Sequence, residues 1–456
     1  MASSNKELIV NTFQMCCPSQ SWAGMWAHPD DQCLNYNTAQ YYIDLATNAE
    51  RGLLDGIFFA DSIGLMDKYG GGPWAAIREG AMAPMNDPTL TIPLMSQATK
   101  HVGFGVTANL SYEHPFIMAR RMSTLDHLTS GRIGWNIVAG FVDSGARATG
   151  GKAMRSHDER YDMADEYMDV CYRLWEHSWD DDAVLRDRQE RQFADPDKVR
   201  QIDHEGRFFS MHGVHMCEPS VQRTPVLFQA GTSERGRDFA ARHAECVFLT
   251  AFRKETLKAH VEDIRQRAAA LGRDPTSVAF IAGCTVITGA TDAEARDRYE
   301  ELKGWLSVPG SLAVFSALAG IDFAEYDPDE YIEYIKNDAN QSFVERMTIL
   351  SQGKRWRVKD LTAFNQESPT AGVFLVGSGS SIADQMADWV EATGIDGFNL
   401  YRTVEPAGLS AFIDHVVPEL QNRELYKTAY REGSLRNKLF GRGDRLRPPH
   451  SALAAE

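Results

Sequence analysis

The sequence predicts an α/β protein: a single closed (β/α)8 barrel of the TIM type, carrying insertions. Two observations predict it. Eight short runs of nearly continuous Val, Ile, Leu and Phe recur along the chain, and amphipathic helical stretches separate them. A run apolar at consecutive positions suits a strand buried on both faces, which is what a parallel sheet covered by helices requires. A third observation concerns domain count. No Pro/Ser-rich linker and no internal repeat divides the 456 residues, so the chain reads as one elaborated domain over 1–456.

The strands are expected at ELIVNTF (7–13), DGIFFAD (55–61), VGFGVTA (102–108) and RIGWNIV (132–138). PVLFQAG (225–231), ECVFLTA (245–251), VAFIAGCTVIT (278–288) and DGFNLYR (396–402) complete the set. Between them, NTAQYYIDLATNAERG (37–52) has a polar N-cap, an apolar stripe and a Gly stop. PFIMARRMSTLDHLTSG (115–131) has a similar stripe, and ERYDMADEYMDVCYRLWEHSW (159–179) is strongly amphipathic. Eight strands alternating with helices fit a closed barrel better than an open doubly wound sheet. Two segments fall outside the alternation and read as insertions: 180–224, charged and irregular, and 289–370, largely helical.

Composition narrows the function classes. The chain is 43% hydrophobic and 24% charged, the usual mixture of a globular protein. A formal charge of −16, with no Lys/Arg stripe, argues against a nucleic-acid partner. Neither a signal-like run nor a bilayer-length apolar stretch is present, so a cytoplasmic location without membrane contact is expected. The seven cysteines are scattered without a CxxC pair, and Cys171, Cys246 and Cys284 lie in apolar runs as packing residues.

Active sites of such barrels are built at the C-terminal ends of the strands. Asp61, Thr107, Asn136 and the Ala230-Gly231-Thr232-Ser233 turn fall there. Gly231-Thr232-Ser233 leads from strand to helix, where backbone N–H groups and two hydroxyls could cradle a phosphate; Ser233 could equally be only a helix cap. GSGSS (377–381) offers the same chemistry and the same alternative. His157, Arg160 and Tyr161 stand near the start of a helix, where His157 and Tyr161 could donate to phosphate or ribityl oxygens, or simply meet solvent. Asn136 and Asp61 each end an apolar strand, and buried polar groups there need partners such as the edge of a planar heterocycle. His212, His215 and Cys217 have metal-ligand types, but no carboxylate completes a recognised pattern and no metal is expected.

Taken together these residues resemble the bacterial luciferase-like flavin monooxygenases, in the branch of the nitrilotriacetate, dibenzothiophene sulfone, dimethyl sulfide and long-chain alkane enzymes. MSTLDHLTSGRIGWNIV (122–138), SHDERYDMADEYMDVCYRLWE (156–176), CEPSVQRTPVLFQAGTSERGRDFAARHAE (217–245) and TGIDGFNL (393–400) carry the likeness, which runs from about residue 11 to 441. The resemblance implies a barrel that uses reduced FMN (FMNH2) and O2 to oxidise a small organic substrate. It also implies a separate NAD(P)H:flavin reductase and a homo-oligomer. It puts Asp61, Thr107 and Asn136 by the isoalloxazine, with His157, Tyr161 and Ala230–Ser233 around the ribityl phosphate. On the substrate side it points to Cys17, Gln20, Met66, Met82, Phe141 and Val314. There this chain departs from the family. Gln20 and Val314 stand for histidines, Ala27 for an arginine, Met66 for a tyrosine and Met82 for a glutamine, while Ala139-Gly140-Phe141 replaces a Thr-Ser run. Those changes imply a neutral, largely apolar substrate. The competing expectations are a deazaflavin-dependent oxidoreductase on the same barrel, a flavin-binding protein without oxygenation, and a metal-dependent hydrolase.

Overall fold

The computed structural model describes residues 7–140, 142–151, 153–332, 356–361 and 372–454. The barrel strands are β1 (Ile9–Gln14), β2 (Gly56–Phe59), β3 (Gly103–Asn109) and β4 (Ile133–Val138), followed by β5 (Val226–Gln229), β6 (Cys246–Leu249), β7 (Ala279–Gly289) and β8 (Gly397–Tyr401). All neighbours pair in parallel in the order β6-β5-β4-β3-β2-β1-β8-β7, and β6–β7 pairing at Cys246↔Ala279 closes the ring. Each strand overlaps an apolar run read from the sequence, and β1, β3 and β7 extend one residue beyond theirs, to Gln14, Asn109 and Gly289. The outward faces are covered by helices, which is why both faces could be apolar.

Alternation on the strands divides the core in two. Inward-pointing Ile9, Phe13, Phe58, Val226, Phe228, Phe248, Ile281 and Tyr401 fill the barrel. The rings interlock: Phe13 lies 5.7 Å from Phe58 and 5.5 Å from Phe248, and Phe58 meets Phe228 edge-on at 5.5 Å. Gly134 makes room for them, since a Cβ there would stand 2.5 Å from the Phe228 ring. Outward-pointing residues such as Val10, Ile57, Val106 and Trp135 join the helix layer. Trp135 is fully buried and its Nε1 donates to the Ala108 carbonyl at 2.9 Å, so its polar atom adds no desolvation penalty to the apolar gain. Below, at the strand N-termini, the short helix Leu435–Phe440 sets Leu435, Leu439 and Phe440 against the barrel interior.

Thr38 caps Ala39–Arg51 and His114 caps Pro115–Leu128, while His157 opens the helix His157–Tyr172. Cys171, Cys246 and Cys284 are all fully buried packing residues. Two details differ from the sequence reading. The segment 180–224 is not irregular throughout, because it holds two antiparallel hairpins, Val184–Asp187 with Gln192–Ala194 and Ile202–Glu205 with Ser210–Gly213. Their side chains are largely exposed, so no apolar alternation announces them. A further strand, Val373–Ser378, pairs with the second half of β7 outside the ring. Helices Asp292–Lys303 and Val308–Ala319 occupy the described part of the second insertion. Its residues 333–355 and 362–371 lie outside the described residues. Among the described residues, no single helix is long and apolar enough to cross a membrane.

Candidate active site

A cavity of about 290 Å3 opens at the C-terminal ends of the strands. Asp61, Thr107, Asn136, His157, Tyr161, Ala230, Gly231, Thr232 and Ser233 all line it. They arrive from five places in the chain: the ends of β2, β3, β4 and β5, and the helix beginning at His157. Phe13, Phe58, Phe239 and Phe248 supply apolar wall, so the polar groups converge on a largely apolar hollow, the usual composition of a cofactor site.

The polar groups divide into two sets. On one side, the Asn136 amide donates to Thr107 Oγ1 at 2.8 Å while its carbonyl Oδ1 is buried with no partner among the described residues. Gln229 Oε1, also lining the cavity, is buried and unpartnered in the same way. Two orphaned acceptors at one cavity are costly unless a ligand brings donors, at about 1–3 kcal/mol each. Burial pushes the Asp61 carboxyl up to about 6, against one backbone hydrogen bond from Ser62 and with the charge of Asp87 adding to the rise. On the other side, Ser233 accepts from the Gly236 N–H at 3.1 Å and caps the helix Glu234–His243. The capping role weighed from the sequence is therefore real, and it coexists with a place on the cavity wall. A Cβ at Gly231 would fall 2.5 Å from the Tyr161 hydroxyl and 2.4 Å from Gln229 Nε2, so any larger residue would displace those two side chains from the cradle. The half-buried Tyr161 phenol hydrogen-bonds Ser233; desolvation raises it, and it remains neutral. Arg160 is 4% exposed, donates to the Arg155 carbonyl at 2.7 Å and lines the cavity, putting a cation beside the cradle.

Gln229 and the role of Arg160 went unassigned from the sequence. The signal for Gln229 was available, since it is a polar residue closing an apolar strand, as Asn136 is. The aromatic wall left no sequence signal, because inward and outward strand residues are equally apolar here.

The substrate-side residues are placed differently. None of Cys17, Gln20, Met66, Met82 and Val314 is among those lining the 290 Å3 cavity, and Phe141 lies outside the described residues. Its neighbours Ala139 and Gly140 do line the cavity. Cys17 packs in the barrel-interior cluster, Met66 with Ala76, Val142, Ala313 and Ala317, and Val314 with Ala23 and Ala81. Half-buried Met82 touches all three clusters and joins them. Gln20 Nε2 donates to the Phe13 carbonyl at 3.1 Å, and its Oε1 is buried without a partner among the described residues. Desolvation pushes the Cys17 thiol up to about 11, so it stays protonated. Buried Arg402, at the end of β8, donates to the Cys17 and Pro18 carbonyls at 3.0 Å each and pins this loop.

The remaining motifs have structural duties. Ser378 of GSGSS caps the helix Gly379–Thr393. His215 is buried, pairs with Ser123 Oγ at 2.9 Å and is held down to about 4 by desolvation, while His212 pairs with Asp203 on its hairpin.

A closed parallel barrel with a polar-edged cavity at its strand C-termini, a glycine cradle before a helix and an apolar wall defines a cofactor-using barrel enzyme. Residues 12–397 match the luciferase-like monooxygenase family, and the chain belongs to it. The chain is 43% identical over 98% of its length to dimethyl-sulfide monooxygenase of Hyphomicrobium sulfonivorans, of which 93% is covered. It is 44% identical over 99% of its length to long-chain alkane monooxygenase of Geobacillus thermodenitrificans, of which 98% is covered. A crystal structure of riboflavin lyase with modified FMN and riboflavin aligns with a TM-score of 0.93 at 34% identity, over 99% of this chain and 100% of that one.

Proposed function

We propose that this chain is the oxygenase component of a two-component system that uses reduced FMN and O2 to oxidise a neutral, largely apolar organic molecule. A separate NAD(P)H:flavin reductase would supply the reduced flavin, in the cytoplasm, and the working unit would be a homo-oligomer. The observation that carries the reading is the pair of orphaned buried acceptors, Asn136 Oδ1 and Gln229 Oε1, facing one cavity with the Gly231–Ser233 cradle. FMN would bring ring N–H donors to the acceptors and a single terminal phosphate to the cradle.

In this reading Gly231, Thr232, Ser233, Arg160, Tyr161 and His157 hold the phosphate and ribityl chain. Asp61, Thr107, Asn136, Gln229 and Ala230 meet the edge of the heterocycle. Bound there, reduced FMN supplies the electrons with which dioxygen is activated and the substrate oxygenated. The protein does the rest. Phe13, Phe58 and Phe248 exclude water beneath the ring site, which strengthens each polar contact above them. Asp61, poised near 6, can hold or release a proton at its carboxyl close to neutral pH.

The substrate would enter beside Ala139 and Gly140, with Cys17, Gln20, Met66, Met82, Phe141 and Val314 shaping its pocket. Met82, Met66 and Val314 give no partner for a carboxylate, so burying a polyanion there would cost several kcal/mol. Two relatives are named for dimethyl sulfide and for long-chain alkanes, both neutral and apolar.

The test combines purified chain, a flavin reductase, NADH and FMN with a panel of sulfides, sulfones, alkanes, phenols and riboflavin, reading oxygen uptake and product mass. A product one oxygen heavier, formed only when reductase and FMN are both present, is expected. Oxygen consumed wholly as hydrogen peroxide with every compound would instead make this a flavin-binding protein without oxygenation. Hydride transfer to a deazaflavin with no FMN requirement would replace the cofactor assignment.

A further inference from the structure

A second cavity, about 320 Å3, lies at the opposite end of the barrel. Its walls come from residues that precede β6 and β7 and from the chain after the plug helix Leu435–Phe440. Its charge is unlike the rest of this acidic chain: Arg273, Arg436, Arg442, Arg445 and Arg447 face two carboxylates, Glu245 and Asp274.

The two carboxylates are already occupied. Both Glu245 oxygens accept from buried Arg436, at 2.7 and 2.9 Å, and Oε2 also accepts from the Leu227 N–H. Asp274 Oδ1 accepts from the Thr276 N–H and hydroxyl, leaving Oδ2 3.8 Å from Arg442. Arg445 pairs with Asp181 at 3.3 Å, which leaves Arg273 and Arg447 short of counter-charge. Arg273 is 5% exposed, and among the described residues no carboxylate lies within 4 Å of it. Among the described residues it donates only to the Ala241 and Ala244 carbonyls, which use two of its five N–H donors. Among the described residues Arg447 has no side-chain hydrogen bond or ion pair, and it stands exposed at the rim. Ser277 Oγ, which also lines the cavity, is buried without a partner among the described residues. Phe440, Leu446, Pro448 and Pro449 add apolar lining to the same cavity.

A buried guanidinium with spare donors, an orphaned hydroxyl and rim arginines make a receptor for a compact oxyanion. Arginine forks match phosphoryl oxygens in geometry as well as charge. The apolar lining and the volume leave room for an organic group next to the anion. We propose that this lower cavity binds a small organic phosphomonoester, its phosphoryl group held by Arg273, Arg442, Arg447 and Ser277 and its organic part lying against Phe440 and the Pro448-Pro449 segment. The site is separate from the strand C-terminal cavity and does not depend on the cofactor assigned there. Because residues 442–450 form much of its wall, an occupant would tie the end of the chain to the barrel floor and stabilise the fold by mass action.

The full chain is tested by calorimetry and thermal melting with AMP and with inorganic phosphate, at matched ionic strength in sodium chloride. Saturable AMP binding with a raised Tm is expected. The Kd should weaken at least tenfold in the double variant Arg442→Ala/Arg447→Ala, whose side chains lie at the rim and whose own Tm without ligand should stay near the parent's. Ser233→Ala, in the upper cavity, should leave AMP binding unchanged. The proposal is overturned if neither anion binds saturably, if the double variant binds AMP as the parent does, or if Ser233→Ala abolishes binding. Inorganic phosphate binding as tightly as AMP would overturn the organic half of the assignment.

Discussion

Replacing Asp61 by Asn should stabilise the ligand-free protein, and the gain should grow with pH. Burial lifts this carboxyl from 3.8 to about 6, with the Asp87 charge helping, whereas the unfolded chain titrates at about 3.9. The folded state therefore binds the proton more tightly than the unfolded state. Below about pH 4 both states are protonated and the site is neutral in its effect. Between about 4 and 6 the unfolded chain ionises while the folded one resists, so stability falls as pH rises; above 6 the penalty is complete. A shift of about two units corresponds to about 3 kcal/mol as an upper bound. Residual solvent contact at the cavity mouth reduces that to about 1–2 kcal/mol. Asparagine keeps the shape and removes the charge. Urea denaturation at pH 5 and pH 8 should then show the advantage of Asp61→Asn over the parent growing by about 1 kcal/mol. Asp87→Asn, which removes the like charge, should reproduce part of the gain in the same direction. A difference between Asp61→Asn and parent that is constant across pH would refute the argument, because it would mean that Asp61 ionises normally in the folded state.

Ser233→Ala should weaken FMN by about 1–2 kcal/mol, the value of a hydrogen bond to a charged group, and calorimetry showing unchanged affinity would move the phosphate site elsewhere. The same substitution removes a helix cap worth about 1 kcal/mol, so a small drop in Tm should accompany the loss. Met82→Gln introduces an amide where three apolar clusters meet; turnover of the best apolar substrate should fall while FMN affinity holds. A joint fall of Tm and FMN affinity would instead make that junction barrel packing. NADH should not be oxidised by the purified chain with FMN alone, since the sequence has no dinucleotide-binding fingerprint; rapid consumption without added reductase would end the two-component reading.

The sequence by itself determined the barrel and the ends of its strands. Parallel strands covered on both sides must be apolar at consecutive positions, and such runs stand out against amphipathic helices. It also located Asp61, Thr107, Asn136 and Gly231–Ser233 on one rim, because a parallel barrel puts every strand C-terminus on the same side. What it could not decide was set by contacts distant in the chain. The hairpins within 180–224 stay polar because they face solvent, and Val373–Ser378 becomes a strand by pairing with the overhanging half of β7. Phe13, Phe58 and Phe248 became cavity wall because inward and outward residues of a doubly covered strand look alike until the ring closes. The orphaned acceptors of Asn136 and Gln229 follow from burial, which a linear chain does not record. The lower arginine cavity is the furthest from sequence logic. Arg273, Arg436 and Arg447 converge only because the plug helix turns the chain back under the barrel floor, and charge that is spread along a sequence becomes a site only when folding removes the water between its members.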